Sequence, residues 1–400
     1  MRAPSITALF GLGELEPVQR RGLPLVYASS LALMMGVNLI QPALPAMQGP
    51  LGISDAAIGL VVTVYTAPAI VLAPLLGIVA DFYGRRYLLA GGLLIFGLAG
   101  GAITFAPNFQ WVLILRAIQG LGFCSVLPLT IVLIGDLLEG EREVGGQGLK
   151  VFLDRVGYLI IPPVGGVLAA IAWFWPFLLY LLAVPLSLLV LAWMPETKSN
   201  EKTKAKTYIG DILRLAKHPR LLVAFSAGFL RFFLDYGFLT YLPLFIVRTH
   251  GVSTATAGFL YVFYAGGAMV TSSQAGRLAG RFDKARLLFF AFLLSGLSLV
   301  VVPMVSSVGL VGVTLIFYGL ANGVISPMQK SLLTQNAPTE LRGGIVSVDR
   351  LIQQVSKTVS TSTVGLLLVA VKISTIFWIL GILSFISVAL MATLIPQGRR

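Results

Sequence analysis

The chain of 400 residues is 57% hydrophobic and only 11% charged, whereas a soluble domain of this length carries about a quarter charged residues. This composition excludes an ordinary soluble domain. The formal net charge of +13 leaves two classes open, a nucleic-acid binder and a membrane protein with basic loops.

The apolar residues come in blocks of roughly twenty, which is the length that crosses a bilayer core as a helix. Helices are favoured because lipid cannot satisfy the polar groups of an open strand edge, and the blocks lack the alternation of a membrane barrel. We therefore predict about twelve membrane-spanning helices. They cover residues 24–46, 56–80, 87–107, 111–135, 147–171, 174–194, 221–247, 256–280, 287–306, 309–333, 345–371 and 374–396.

The basic residues fall on every second predicted loop. Basic residues precede the first span, follow spans two, four, six, eight and ten, and end the chain at Arg399 and Arg400. The alternate loops carry few charges, namely Asp55, Arg248, His250 and Lys372. This bias predicts a multi-pass protein of the inner or plasma membrane with both termini in the cytoplasm. We expect no nucleic-acid partner, since topology explains the charges.

The sequence contains no pattern that indicates an enzyme or a metal site. Its single cysteine, Cys124, lies within a predicted span, and its two histidines, His218 and His250, lie in loops. Neither a nucleophile with its base nor a metal-ligand spacing is present, so we expect no catalytic residue, metal or cofactor. The N-terminal residues 1–19 are too weakly apolar for a cleavable signal.

The chain also contains an internal repeat. Residues 52–89 align without a gap with residues 251–288, and matched glycines and tyrosines differ by a constant 199. A constant offset over much of the chain predicts two six-helix halves of the same topology. We place the halves at 1–197 and 221–400, joined by a charged linker at 198–220 that contains a short amphipathic segment.

Two parallel six-span repeats, each with a basic loop after its second span, resemble the major facilitator superfamily. The resemblance implies an all-α integral membrane protein of two pseudo-symmetric six-helix bundles, with a substrate site between the halves near the midplane. It further implies a secondary active transporter that binds a small molecule, lies in the lipid bilayer and uses a proton gradient. We expect a monomer.

The segment "GIVADFYGRR" (77–86) resembles the superfamily's signature between spans two and three. Its members here are Gly77, Asp81, Gly84, Arg85 and Arg86. Glycines permit close helix approach and a tight turn, and a carboxylate is stabilised at a helix N-terminus. The resemblance implies a gate on the cytoplasmic side in which Asp81 faces span eleven. Simple positive-inside anchoring by the two arginines is the alternative.

Acidic residues at two further span starts belong to the predicted gate. Asp349 lies near the start of span eleven, and Asp154 holds a similar place in span five. Both are adjacent to an arginine, as expected for charge-linked contacts that break when the protein opens towards the cytoplasm.

Two more segments resemble motifs of the drug:proton antiporters. "LRAIQGLG" (115–122) places Arg116 inside span four, where it either reaches the membrane interface or serves proton transfer or substrate binding. "GLKVFLDRVGYLIIPPVGG" (148–166) resembles the antiporter motif of span five, with isoleucine in place of one glycine. The glycines and the proline of this motif are Gly148, Gly157, Pro162, Gly165 and Gly166. They predict a bent helix that packs tightly against a neighbouring helix, and generic packing of small residues is the alternative.

Span seven carries Arg231 and Asp235 in the apolar run "FLRFFLDYGF" (229–238). Residues four apart on a helix share a face, so the two charges are expected to pair. Three roles remain open for them: proton coupling by Asp235, mutual neutralisation only, or anion binding by Arg231. Intramembrane charges are functional candidates by default.

Polar residues in other spans complete the predicted site. Lys357 lies near the middle of span eleven, and Asn38 and Gln41 lie in span one, where they line a cavity or join helices by hydrogen bonds. If Arg116, Arg231 and Lys357 face one cavity, its field is positive and favours neutral, zwitterionic or anionic amphipathic substrates.

The leading hypothesis is a proton-coupled exporter, or antiporter, of small amphipathic compounds or drugs that works by alternating access. A dedicated transporter of an anionic or polar metabolite, such as a sugar, siderophore or organic anion, is the alternative. A membrane sensor that does not transport is a third reading, disfavoured because no soluble domain is attached.

Overall fold

The computed structural model describes residue 12 and residues 14–72, 84–196, 210, 214–216, 218–338 and 341–394. These residues are nearly all helical, and none of them lies in a strand. Nine helical stretches within the described part are long and apolar enough to cross a bilayer. Three further helices stand where the remaining spans are predicted. The prediction of an all-α membrane fold is confirmed.

The helices follow the predicted spans within a few residues at most ends and are numbered here in chain order. The first half contains α1 (Pro17–Leu51), α2 (Asp55–Leu72), α3 (Arg85–Phe105), α4 (Phe109–Leu137), α5 (Glu141–Ile171) and α6 (Trp175–Trp193). The second half contains α7 (Pro219–Leu239, then Leu242–His250), α8 (Thr254–Ser273, then Ala275–Arg281), α9 (Lys284–Met304), α10 (Val308–Gln335), α11 (Arg342–Leu367) and α12 (Ile373–Leu394).

Short polar side chains begin several of these helices. The Asn108 side chain accepts a hydrogen bond from the Trp111 backbone N–H at 3.2 Å, and Ser307 does the same for Leu310 at 3.3 Å. Such caps satisfy N–H groups that have no partner inside the helix. They explain why the spans begin where apolar sequence follows a polar residue.

Helices α1 and α7 are broken at equivalent places. In α1 a short 3₁₀ turn at Gln41–Ala43 separates two helical parts, and in α7 the break falls at Thr240 and Tyr241. Pro42 lies within the first break and Pro243 follows the second, as expected for a residue without a backbone N–H. Gln41 Nε2 donates to Thr240 Oγ1 at 3.1 Å, so the two breaks join the halves.

We call the face where α1 and α7 begin the basic face, and the opposite face the distal face. The halves are joined near the distal face by hydroxyl groups of α2 and α11. The hydroxyl oxygens of Thr63 and Thr361 are 2.7 Å apart, and those of Thr66 and Thr358 are 2.9 Å apart. The Ser362 hydroxyl donates to Thr63 Oγ1 at 3.3 Å. Further out, Arg248 of α7 forms an ion pair with Asp55 of α2.

Two predicted features fall outside the described residues. Gly77 and Asp81 of the loop motif lie outside them, as does most of the linker at 198–220 with its amphipathic segment. The boundaries of the two halves therefore stay a prediction.

Candidate functional site

A cavity lies between the two halves. It consists of two adjoining volumes of about 480 Å³ and about 200 Å³, which share Asn38, Asp154, Tyr158 and four residues of the second half. Its lining includes Ile131 and Thr334, close to the basic-face ends of α4 and α10. The hydroxyl contacts between α2 and α11 lie at its other end. The cavity thus reaches towards the basic face and is closed towards the distal face.

Asp235 of α7 lies in the wall of this cavity and is 5% exposed. Tyr318 donates to its carboxylate at 2.8 Å and Tyr264 donates at 3.4 Å. Arg231 Nε is 4.0 Å from the same carboxylate and instead donates to Asn322 Oδ1 at 3.2 Å. The predicted pairing of Arg231 with Asp235 is confirmed, but as a loose ion pair in which two tyrosines supply the hydrogen bonds.

Lys357 of α11 also lines the cavity. Its Nζ donates to Gln354 Oε1 at 2.7 Å and lies 4.9 Å from the ring centroid of Phe232 and 5.2 Å from that of Tyr236. An ammonium group over aromatic faces is a cation–π arrangement. It holds the lysine side chain between α7 and α11.

The charged lining of the cavity is more basic than acidic. Among the described residues that line it, the carboxylates are Asp154, Asp235 and Asp349. The basic side chains are twice as many, namely Lys150, Arg155, Arg231, Lys330, Arg350 and Lys357. A positive field of this kind favours acidic substrates over simple cations.

Arg116 of α4 does not line the cavity, contrary to the expectation that it faces the pathway with Arg231 and Lys357. It is 0% exposed, so it does not reach the membrane interface either. Its Nη1 donates to Gly36 O at 2.9 Å and to Gln119 Oε1 at 2.8 Å. Rings surround the guanidinium, with that of Tyr65 at 5.0 Å. The missing side chain at Gly36 leaves room for the Tyr65 ring beside the guanidinium, because a Cβ atom there would clash with the Tyr65 hydroxyl.

The two polar residues predicted in α1 both reach the cavity. Asn38 lines both volumes while donating to Met34 O at 2.9 Å, and Gln41 lines the smaller volume while bridging to Thr240. Hydrogen bonding and cavity lining, two alternatives in the sequence, occur together in both residues.

The described members of the loop motif contact helices of their own half. Gly84 has a φ of 92°, a conformation that glycine adopts without strain, and it precedes α3. Arg85 forms an ion pair with Asp136, and Arg86 donates to Met194 O at 3.4 Å. These contacts anchor the start of α3 against α4 and the end of α6.

The two acidic residues assigned to the gate are bonded within their own halves as well. Asp154 accepts from Ser30 and from Lys150, each at 2.8 Å. Asp349 is buried and accepts from Gln329 at 2.8 Å and from Gln353 at 2.6 Å. A gating role for Asp154 and Asp349 stays a prediction.

The motif in α5 forms a close helix contact at the distal end. A side chain at Gly165 would clash with Leu39 O of α1, and one at Gly166 would clash with Thr254 O of α8. A Cβ atom at Gly258 of α8 would lie 2.7 Å from Pro162 O. Gly157 approaches α1, and Gly148 lies in the first turns of α5. The predicted tight packing of this helix is present despite the isoleucine.

The sequence analysis missed two tyrosines of the site, one in the cavity lining and one bonded to Asp235. Tyr158 lines both volumes, and its signal was its place directly after Gly157 in the α5 motif. Tyr318 bonds Asp235, and the repeat points to it, since Tyr318 is 199 residues after Gln119 of the α4 motif. Both tyrosines lie in apolar runs, where an aromatic ring is ordinarily interpreted as packing against other apolar side chains.

Comparisons with known proteins agree with this architecture. The chain is 28% identical to the bacillibactin exporter of Bacillus subtilis (strain 168) over 332 residues, which cover 79% of this chain and 82% of that protein. It is 24% identical to the quinolone resistance protein NorA of Staphylococcus aureus (strain Mu50) over 152 residues, 38% of this chain and 39% of that one.

Solved structures share the fold. A bacterial homologue of the human lysosomal transporter Spinster, solved in an inward-facing and unoccupied conformation, superimposes with a TM-score of 0.78 at 14% identity, covering 95% of this chain and 97% of that one. A D-xylose–proton symporter superimposes with a TM-score of 0.75 at 17% identity, covering 94% and 98%. The family model of the Major Facilitator Superfamily matches residues 26–361. This chain therefore belongs to the Major Facilitator Superfamily of membrane transporters.

Proposed function

We propose that this transporter exports small amphipathic molecules in exchange for protons by alternating access. A cavity between the halves, open towards the basic face and closed towards the distal face, is the geometry that alternating access requires. The positive-inside rule assigns the basic face to the cytoplasm, from which an exporter takes its substrate. Two relatives, named for bacillibactin export and quinolone resistance, support export.

The environment of Asp235 is the observation that carries the proton-coupled part of the proposal. Its closest partners are tyrosine hydroxyls, which donate to a carboxylate and can accept from a carboxylic acid. Arg231 is 4.0 Å away and keeps its own bond to Asn322, so protonation of Asp235 breaks no close ion pair. A carboxylate that exchanges its proton beside a substrate cavity can couple the two fluxes.

Proteoliposomes with an imposed pH gradient test this proposal. We expect gradient-driven uptake of a fluorescent amphipathic probe such as a quinolone, and its loss in Asp235→Asn. Asp283→Asn is the matched control because it removes a carboxylate that does not line the cavity, at a position where asparagine can still cap α9. Transport that ignores the gradient and survives Asp235→Asn would exclude proton coupling through this residue.

A dedicated transporter of one anionic or polar metabolite is the second candidate. The excess of basic lining residues favours it, as does the relative named for export of bacillibactin. A binding screen with purified protein distinguishes the two. One tightly bound anion and no binding of drugs would favour the dedicated transporter.

A further inference from the structure

Lys357 is the basic side chain nearest the closed end of the cavity. Among the described residues, no ion pair within 4.0 Å joins its Nζ to a carboxylate. Lys150, by contrast, is 2.8 Å from Asp154, and Arg231 is 4.0 Å from Asp235. Lys357 is therefore held in the cavity wall without a close counter-ion.

The partners that Lys357 does have are neutral. The amide oxygen of Gln354 and the ring faces of Phe232 and Tyr236 attract an ammonium group but do not cancel its charge. A partly desolvated cation is stabilised when an anion takes the remaining donor positions. The ammonium has three donors, and one of them is used by Gln354.

The space beside Lys357 suits the rest of an amphipathic ligand. The same volume of about 480 Å³ is lined across from α11 by Tyr65 and Phe123, whose ring centroids are 5.1 Å apart. Phe232 and Tyr236 complete the aromatic wall. A flat aromatic group placed among these rings has its acidic substituent within reach of the lysine.

The position of Lys357 also connects the cavity to the contact between the halves. Its backbone carbonyl accepts from Thr361 Oγ1 at 3.1 Å, and Thr361 meets Thr63 of α2. The next residue, Thr358, meets Thr66 of α2 at 2.9 Å. A ligand bound at Lys357 therefore lies next to the hydroxyl contacts between α2 and α11, which have to break before the cavity opens to the distal face.

We propose that Lys357 binds the acidic group of the substrate, and that aromatic carboxylic acids and comparable aryl acids are the substrate class of this transporter. The proposal rests on the proposed transport function and deepens it. It separates Lys357 from Arg231, which has a carboxylate at 4.0 Å and whose Nε donates to Asn322.

Matched acid and amide probes test the proposal on the purified full chain. Equilibrium dialysis measures binding of 2-naphthoate against 2-naphthamide, and of coumarin-3-carboxylate against coumarin-3-carboxamide. We expect the acids to bind about tenfold more tightly, as one hydrogen bond between charged groups provides. Lys357→Gln should remove this preference by weakening the binding of the acids about tenfold more than that of the amides, and a wild-type thermal midpoint shows that the variant is folded.

Two further variants sharpen the test. Lys357→Arg keeps the charge and should keep most of the preference for acids. Lys284→Gln removes a basic side chain that does not line the cavity and donates to Ser331, and should keep it as well. Equal binding of acids and amides by the wild type, or a preference that persists in Lys357→Gln, would overturn the assignment.

Uptake into proteoliposomes separates this proposal from the proposed function. Gradient-driven transport of the amides without any preference for acids would overturn the role of Lys357 and leave proton-coupled transport standing. A preference for acids that depends on Lys357, together with transport indifferent to the gradient, would support Lys357 and overturn proton coupling.

Discussion

The clusters around Arg116 and Asp235 occupy equivalent places in the two halves. Gly36 and Asp235 differ by 199 in number, as do Gln119 and Tyr318. In the first half, Arg116 of α4 donates to Gly36 O of α1 and to Gln119 one turn further along α4. In the second half, Tyr318 of α10 meets Asp235 of α7. The first and fourth helices thus meet at the same place in each half, through an arginine in the first half and through a hydrogen bond between tyrosine and aspartate in the second.

The difference lies in which cluster the cavity can reach. Arg116 is fully buried behind the cavity, whereas Asp235 lies in its wall. Among the described residues, Arg116 Nε and Nη2, Gln119 Nε2 and Tyr65 OH have no hydrogen-bond partner. We infer that the first cluster holds helices together and that the second exchanges protons or ligands. Four experiments test this assignment of roles, in decreasing order of expected effect.

Removing the buried cation should have the largest effect. We expect Arg116→Met to lower the free energy of unfolding by about 3 kcal/mol, because the Gln119 oxygen loses its donor and several rings lose their cation–π contact. Thermal unfolding in detergent measures the change, with Asp235→Asn as the comparison. If Arg116→Met is as stable as the wild type, the contacts of the guanidinium contribute no more free energy than its burial costs.

A methyl group at Gly36 should disrupt the same cluster by overpacking. Its Cβ atom would clash with the Tyr65 hydroxyl, so we expect Gly36→Ala to cost about 1–3 kcal/mol of stability. Adding Tyr65→Phe removes the hydroxyl but leaves the ring carbon Cζ 2.5 Å from the new Cβ atom, so it should restore only part of that loss. The thermal midpoints of both single variants and the double variant measure the coupling. Simple additivity of the two changes would show that the clash is not the cause.

The two tyrosines that mark the clusters provide a matched pair. Tyr318→Phe removes the 2.8 Å hydrogen bond to Asp235. Tyr180, which accepts from Arg116 at 3.4 Å, has its hydroxyl 3.1 Å from Met35 O and 3.2 Å from Gly36 O, and Tyr180→Phe removes this hydroxyl. We expect each change to cost about 1 kcal/mol of stability. Only Tyr318→Phe should also alter gradient-driven transport, measured as initial rate against pH. Equal transport defects in both variants would contradict the division between the clusters.

The smallest effect is expected at the distal ion pair between the halves. Arg248 and Asp55 are partly exposed, so Arg248→Gln should weaken the closed distal face by only about 0.5–1 kcal/mol. Labelling of Ser362→Cys by a membrane-impermeant maleimide from the distal side should rise, with little background because Cys124 is buried. Unchanged labelling would show that the hydroxyl contacts of α2 and α11 hold this face alone.

Local sequence rules were sufficient for several parts of the site. The apolar blocks predicted the helices, and the spacing of four residues predicted that Arg231 and Asp235 share a face. The glycines of α5 predicted a close helix contact, which the structure shows at Gly165 and Gly166. Each of these features depends on residues within one helix or on its immediate neighbours.

Other parts of the site required the packing of distant helices. Arg116 was expected to reach the interface or the pathway, yet it is buried and donates to the backbone oxygen of Gly36, 80 residues away. Tyr318 bonds to Asp235 across 83 residues, and nothing near either residue in the chain indicates the other.

The membrane class, the helices and the internal repeat could be predicted from the sequence alone, because they follow from hydropathy, helix geometry and a constant offset. Which charges share the cavity depends on how the helices pack, because the rotation of each helix sets the direction of its side chains. That rotation separates Arg116, sealed among rings, from Lys357, held in the cavity wall beside the contact between the halves.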